Sequence, residues 1–206
     1  YYLLSCNMGE IMVIFLAMLG NKGIPLTPIQ LLWLNLLTDG APALALGLEK
    51  GDPDVMDRPP RRPNEPIIDR TMRVGIGVQT FFITAATLSA YLIGLSMFPD
   101  RMEHAQTMAF VTLSASELFR AYTSRSEYYS IFQIGVFSNQ YMQMAVGASI
   151  LLLALVVYVP VFNPIFNTFP LSWEEWRVIL PLVFVPSIAA EVNKYFLRRR
   201  KPESEI

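Results

Sequence analysis

Six charge-poor apolar runs recur along the chain, each long enough to cross a bilayer as a helix. They lie near residues 1–20, 27–48, 71–97, 105–122, 139–160 and 174–197, bounded by charges or prolines. A helical crossing takes about 20 residues, and backbone in lipid must satisfy its own hydrogen bonds, which selects helices. Charged residues make up 16% of the chain and apolar ones 53%, with a mean hydropathy of +0.38. Soluble domains carry about 25% charged residues. The expected fold class is therefore all-α: a polytopic bundle of six transmembrane helices filling residues 1–206. An ordinary soluble globule and a disordered tail are excluded. A net charge of −1 gives no global field for nucleic acid, and the single Cys6 excludes a disulfide scaffold.

The connections differ in character. Residues 21–26 are short and include Gly23 and Pro25, which predicts a helical hairpin between the first two spans. Residues 49–70 form a polar, proline-rich loop containing GDPDVMDRPPRRPNEPIIDR. Residues 123–127 are short and charged, whereas VFNPIFNTFPLSW is uncharged and aromatic, as suits a loop at an interface. The chain opens Tyr1-Tyr2-Leu3-Leu4, without Met or a basic flank. That favours a start inside a helix, in a piece of a longer protein, over a signal peptide.

Basic residues fix an expected orientation. The 49–70 and 123–127 loops, the adjoining span ends with Arg73 and Arg120, and the C-terminal end hold thirteen of the sixteen, while only Lys22, Arg101 and Arg177 lie on the opposite side. Cytoplasmic loops are the basic ones, so the proline-rich loop and the C-terminus are expected to face the cytoplasm. The run Arg198-Arg199-Arg200-Lys201 reads as a topology anchor.

Apart from Glu174 and Glu175 at the very start of the last span, four acidic residues fall inside the spans: Glu10, Asp39, Glu117 and Glu191. At about 1.5 Å per helical residue, Glu10 lies about 15 Å from the outer end of its span, and Asp39 and Glu117 about 18 Å. With a hydrocarbon core about 30 Å thick, these three share the midplane. Glu191, near Lys194, reaches the interface and reads as structural. No basic residue is expected at the midplane, so each of the three carboxylates must be protonated or face a cation. Intramembrane carboxylates mark ion pathways by default.

Their neighbours point to the second choice. Asn7 and Glu10 are spaced i, i+3, while Asn35 is spaced i+3 and i+4 from Thr38 and Asp39, so each set shares a helix face. The candidate ligands Asn7, Glu10, Asn35, Thr38, Asp39 and Glu117 are all oxygen donors, which suit hard cations such as Ca²⁺ rather than zinc or copper. Thr38-Asp39-Gly40-Ala41-Pro42 interrupts the second span at the depth of its carboxylate, where freed carbonyls can add ligands. Gln79, Gln106, Gln140 and Gln143 read as helix-to-helix hydrogen-bonding groups, Cys6 as packing, and Trp33, Trp173 and Trp176 as core or interface residues.

SCNMGE (residues 5–10), PIQLLWLNLLTDGAPALALG (28–47), DVMDRPPRRPNEPII (54–68) and TMAFVTLSASELF (107–119) together resemble the C-terminal membrane half of the P-type cation-transporting ATPases. The pattern is most similar to the sarco/endoplasmic-reticulum type of calcium pump and its bacterial relatives. The resemblance implies that the six spans are the fifth to tenth helices of such a pump. It places Asn7, Glu10, Thr38, Asp39 and Glu117 around a first calcium site, with Asp39 bridging to a second site that includes Asn35. A glutamate and carbonyls of a fourth helix would complete that second site. Two ions per cycle follow, with proton uptake by the emptied carboxylates. The Pro59-Pro60-Arg61 loop would contact the phosphorylation domain.

The sequence contains no DKTGT phosphorylation motif. ATP and Mg²⁺ are therefore expected to act through upstream phosphorylation, nucleotide-binding and actuator domains, which with four further helices and the lipid bilayer are the implied partners. The implied location is a bacterial plasma membrane. Mn²⁺, Mg²⁺ or Na⁺ as cargo, or a non-catalytic channel or assembly module, are the alternatives.

Overall fold

A computed structural model describes residues 1–52, 54–56 and 66–200, without the side chains of residues 198–200. Pro59-Pro60-Arg61 and the charged groups of the C-terminal basic run, expected to touch another domain and to anchor the chain, lie outside that description. Among the described residues every regular element is helical.

The first span is α1 (Tyr2–Leu19). The second is broken into α2 (Pro28–Trp33), a π-helical turn (Leu34–Thr38) and α3 (Gly40–Gly47). Then come α4 (Arg70–Met97), α5 (Met102–Thr123), a short α6 (Ile131–Ile134), α7 (Gln140–Tyr158), a short α8 (Asn163–Phe166) and α9 (Trp173–Arg200). Starts are set locally. Thr27 closes a capping box with Gln30 ahead of Pro28, and Asp69 and Asn139 cap α4 and α7 through the backbone N–H of Met72 and Met142.

Five stretches are long and apolar enough to cross a bilayer: Tyr2–Leu19, Pro28–Gly47, Arg70–Met97, Gln140–Tyr158 and Trp173–Leu197. Large apolar side chains point outward from them, among them Ile11, Phe15, Leu36, Leu44, Phe81, Leu151 and Ile188. A continuous apolar exterior of this extent is a lipid face. The remaining long helix, α5, departs from the apolar pattern because it is shielded from lipid. Sixteen of its 22 residues are buried, including Gln106, Thr107, Thr112, Ser114, Ser116, Glu117 and Arg120. It packs against α4, α9, α7 and α3.

Small residues allow the close approaches. Gly94 faces Ala105, and a Cβ there would lie 2.8 Å from the Ala105 Cα; a Cβ on Gly9 would lie 2.7 Å from Ile83. Both are close helix contacts of the small-residue kind common in membranes. The pairs Gly94–Ala105 and Gln79–Arg120 run α4 and α5 antiparallel, whereas Tyr1–Gly75 and Gly9–Ile83 run α1 and α4 parallel.

Polar contacts sort into two ends. At one, Gln106 donates to Ile24 O (2.8 Å) and accepts from Asn167, Gln30 donates to Phe166 O (3.0 Å), and His104 meets Glu175 (3.3 Å) while stacked between Phe98 and Phe169. At the other, Arg125 clamps Glu49, and Lys194 pairs with Glu191 (2.9 Å). Gln143 links Tyr122 to Val136, while Gln140 is exposed and its side chain bridges no helices among the described residues.

Candidate cation site

The geometry starts from the break in the second span. The Asp39 N–H donates to Leu34 O at 3.0 Å, five residues back, which defines the π turn. Such turns inside helices mark functional positions. Thr38 Oγ1 donates to the same carbonyl at 2.7 Å. Pro42 has no N–H for the Thr38 carbonyl; instead the Tyr2 hydroxyl lies 3.4 Å from Thr38 O and 3.3 Å from Glu117 O, its one proton shared between them. Ser149 donates to Leu37 O at 3.1 Å. Carbonyls expected to be free for an ion are thus met by hydroxyls, and the side chains carry the site.

Asp39 and Glu117 come together. One oxygen from each and the Cys6 sulfur all lie within 4.8 Å of one another. Asp39 is 1% exposed and Glu117 is 0% exposed. Glu10, one turn along α1 from Cys6, accepts from Asn35 Nδ2 at 3.0 Å. That same Nδ2 also donates to Leu31 O at 3.0 Å, and Asn35 is exposed on the bundle surface. Asn7 Oδ1, Glu10 Oε1, both Asp39 carboxylate oxygens and both of Glu117 are buried without a well-aligned hydrogen bond from a described residue, with the Cys6 thiol and Tyr2 hydroxyl facing Asp39. A buried polar atom without a partner is costly. Six such oxygens among four residues on three helices form a ready ligand set for a hard cation, which takes six to eight.

Two features depart from the sequence reading. Cys6, expected to be packing, belongs to the cluster. Arg120, counted with the loop residues, is buried within the bundle at 0% exposed. Its Nε donates to Gln79 Oε1 (3.1 Å), Nη1 to Tyr2 O and the Cys6 sulfur (both 3.3 Å), and Nη2 to Ser5 Oγ. It also sits over the Tyr1 and Tyr2 rings, 5.7 and 5.5 Å from their centroids. The expectation of carboxylates with no basic residue nearby is corrected accordingly. The signal was available in the spacing, since Glu117 and Arg120 are i, i+3 on one face of α5. Its position near a span end instead grouped it with the basic residues of the cytoplasmic side.

A bundle of membrane-length helices enclosing a buried set of hard oxygen donors defines a membrane domain with a candidate cation site. The sequence matches the family described as "Cation transporting ATPase, C-terminus" over residues 23–196. The chain belongs to that family and forms the C-terminal membrane region of a P-type cation-transporting ATPase. It is 40% identical over 186 residues to a protein named calcium-transporting ATPase from Bacillus subtilis, covering 90% of this chain and 21% of that protein. It is 37% identical to calcium-transporting ATPase 1 of Bacillus cereus (94% of this chain, 23% of that protein). It is 32% identical to an endoplasmic reticulum-type calcium-transporting ATPase 3 of Arabidopsis thaliana (96% and 22%). The chain thus spans about a fifth of the length of these relatives.

Proposed function

We propose that this chain is the ion-binding membrane half of an ATP-driven calcium pump. The observation that carries the reading is the set of unpartnered oxygens on Asn7, Glu10, Asp39 and Glu117, three of the four bearing a carboxylate. Asn35 and Thr38 would contribute their side-chain oxygens, since each already spends its donors on other groups. The Cys6 sulfur receives an Arg120 N–H, which favours the oxygens over the thiol as ligands. The names of the relatives support calcium as the cargo.

In this reading two Ca²⁺ bind from the cytoplasm, one among Asn7, Glu10, Thr38, Asp39 and Glu117. The second lies between Asp39, Asn35 and groups from a fourth helix. ATP hydrolysis in upstream domains, with Mg²⁺, switches access to the far side. Release leaves buried negative charge, and protons entering from that side compensate it. The excess of basic residues in the loops supports a cytoplasmic C-terminus, in a plasma membrane of bacterial type.

The π turn supplies a place for the switch. It puts Asp39 at a joint between α2 and α3, so a small rotation of either segment moves the carboxylate relative to Glu117. The test is ATP-dependent ⁴⁵Ca²⁺ uptake by vesicles containing the intact transporter, with Mn²⁺, Mg²⁺ and Na⁺ as competitors. The expected result is saturation at micromolar Ca²⁺ that millimolar Mg²⁺ or Na⁺ does not abolish. Uptake insensitive to Ca²⁺ but driven by Mn²⁺ or Na⁺ would overturn the choice of cargo.

A further inference from the structure

The fully buried Arg120 is the feature that the proposed transport cycle leaves unused. Among the described residues it heads the large side chains with less than 2% exposure. A charge buried this deeply is normally paired, yet every described acceptor of its N–H groups is neutral: Gln79, the Tyr2 carbonyl, Cys6 and Ser5. These partners come from α1 and α4 and hold the guanidinium by three nitrogens, so it cannot swing into the acidic cluster. It stands one helical turn from Glu117 and touches Cys6, whose sulfur lies within 4.8 Å of oxygens of both Asp39 and Glu117. At that range, inside a low-dielectric bundle, a fixed unit charge acts strongly on its neighbours.

We propose that Arg120 is a resident counter-charge of the cation site, a specificity-determining residue that weakens cargo binding and favours its discharge. The inference rests on the reading of Asp39 and Glu117 as cation ligands. With the site empty, the guanidinium offsets part of the carboxylate charge. With a divalent ion bound, it repels that ion through Cys6 and the Glu117 turn. Since repulsion scales with cargo charge, Arg120 penalises divalent more than monovalent ions and keeps affinity in a releasable range. The clamp on Ser5, Tyr2 and Gln79 makes this a field effect, distinct from ligation.

The distinguishing variants are Arg120→Gln, Arg120→Lys and Gln79→Glu, each in the intact transporter, assayed by equilibrium ⁴⁵Ca²⁺ binding with thermal unfolding as a fold check. Arg120→Gln removes the charge and should tighten Ca²⁺ binding at least tenfold while slowing release. Arg120→Lys keeps the charge and should stay within about threefold of wild type. Gln79→Glu leaves the arginine in place but gives it an adjacent carboxylate; it should tighten binding in the same direction as Arg120→Gln. This variant decides the matter where Arg120→Gln fails to fold. A purely structural arginine predicts weaker binding in Arg120→Gln and no gain in Gln79→Glu, and either result in a folded protein overturns the proposal. Wild-type protein that binds no Ca²⁺, with Asp39→Asn indistinguishable from it, would instead refute the underlying reading of the site.

Discussion

Arg125→Ala should destabilise the bundle by about 3–5 kcal/mol, the usual cost of removing one partner from a buried ion pair. The Arg125 side chain is 1% exposed and that of Glu49 is 13% exposed. Nε and Nη2 of Arg125 form a two-pronged pair with Glu49 at 2.7 and 2.9 Å. Nη1 donates to Gly135 O (2.8 Å) and Val136 O (3.3 Å), and Nη2 also reaches Ser138 Oγ (2.5 Å). Asn139 completes the knot by donating to Glu49 at 2.9 Å and to Ala45 O at 3.1 Å. One guanidinium thus ties the end of the broken second span to the segment leading into α7. For a domain of this size 1 kcal/mol moves Tm by roughly 2–4 °C, so the expected loss is on the order of 10 °C, read by tryptophan fluorescence in detergent.

The pH dependence of the same knot has a definite sign. Hydrogen bonds from Arg125 hold the Glu49 carboxyl below its ordinary range. A carboxylate with a lowered folded value stabilises the protein fully above the ordinary carboxylate range, and that contribution disappears as pH falls through the lowered value. Glu49→Gln should therefore flatten the acid limb of the stability curve and change little with pH around neutrality. An unchanged Tm in Arg125→Ala, or an unchanged acid limb in Glu49→Gln, would refute the reasoning.

Two further substitutions test the packing and the broken helix. Gly94→Ala should cost about 1–3 kcal/mol, because its Cβ would press on the Ala105 backbone. Gly77→Ala, with nothing within 4 Å, should stabilise by up to about 1 kcal/mol through helix propensity. The same Tm assay reads both, and equal effects would contradict the observed α4–α5 contact. Tyr2→Phe should cost about 1–3 kcal/mol, because the Thr38 carbonyl facing Pro42 loses its hydroxyl donor. If Tyr2→Phe unfolds at the wild-type temperature, that carbonyl has another partner.

The helical bundle was legible because apolar runs of bilayer length leave the backbone few alternatives. Even α5, whose buried polar residues set it apart from the other spans, was legible as a charge-poor run with Glu117 as an intramembrane acid. The interruption at Asp39 was also legible from Gly40 and Pro42. What the spacing could not give was its form, a π turn whose freed carbonyls are met by Tyr2 and Ser149 from elsewhere in the bundle. Those partners are set by tertiary packing, and no local pattern announces them. Arg120 was misjudged for a related reason. A basic residue near a span end ordinarily reaches the interface, but here Gln79 and the α1 backbone solvate it inside the bundle. Cys6 joined the acidic cluster only once α1, the broken span and α5 were brought together.

The central claim is that Asp39 and Glu117 hold the transported ion, and locating that ion tests it most directly. Cryo-electron microscopy of the intact transporter in saturating Ca²⁺, compared with the same protein in chelator, should show a calcium-dependent peak among the side chains of Asn7, Glu10, Asp39 and Glu117. Its oxygen distances should be about 2.3–2.6 Å, and Asp39→Asn should abolish it. A Ca²⁺-loaded structure with these oxygens still unliganded and the ion bound elsewhere would contradict the account.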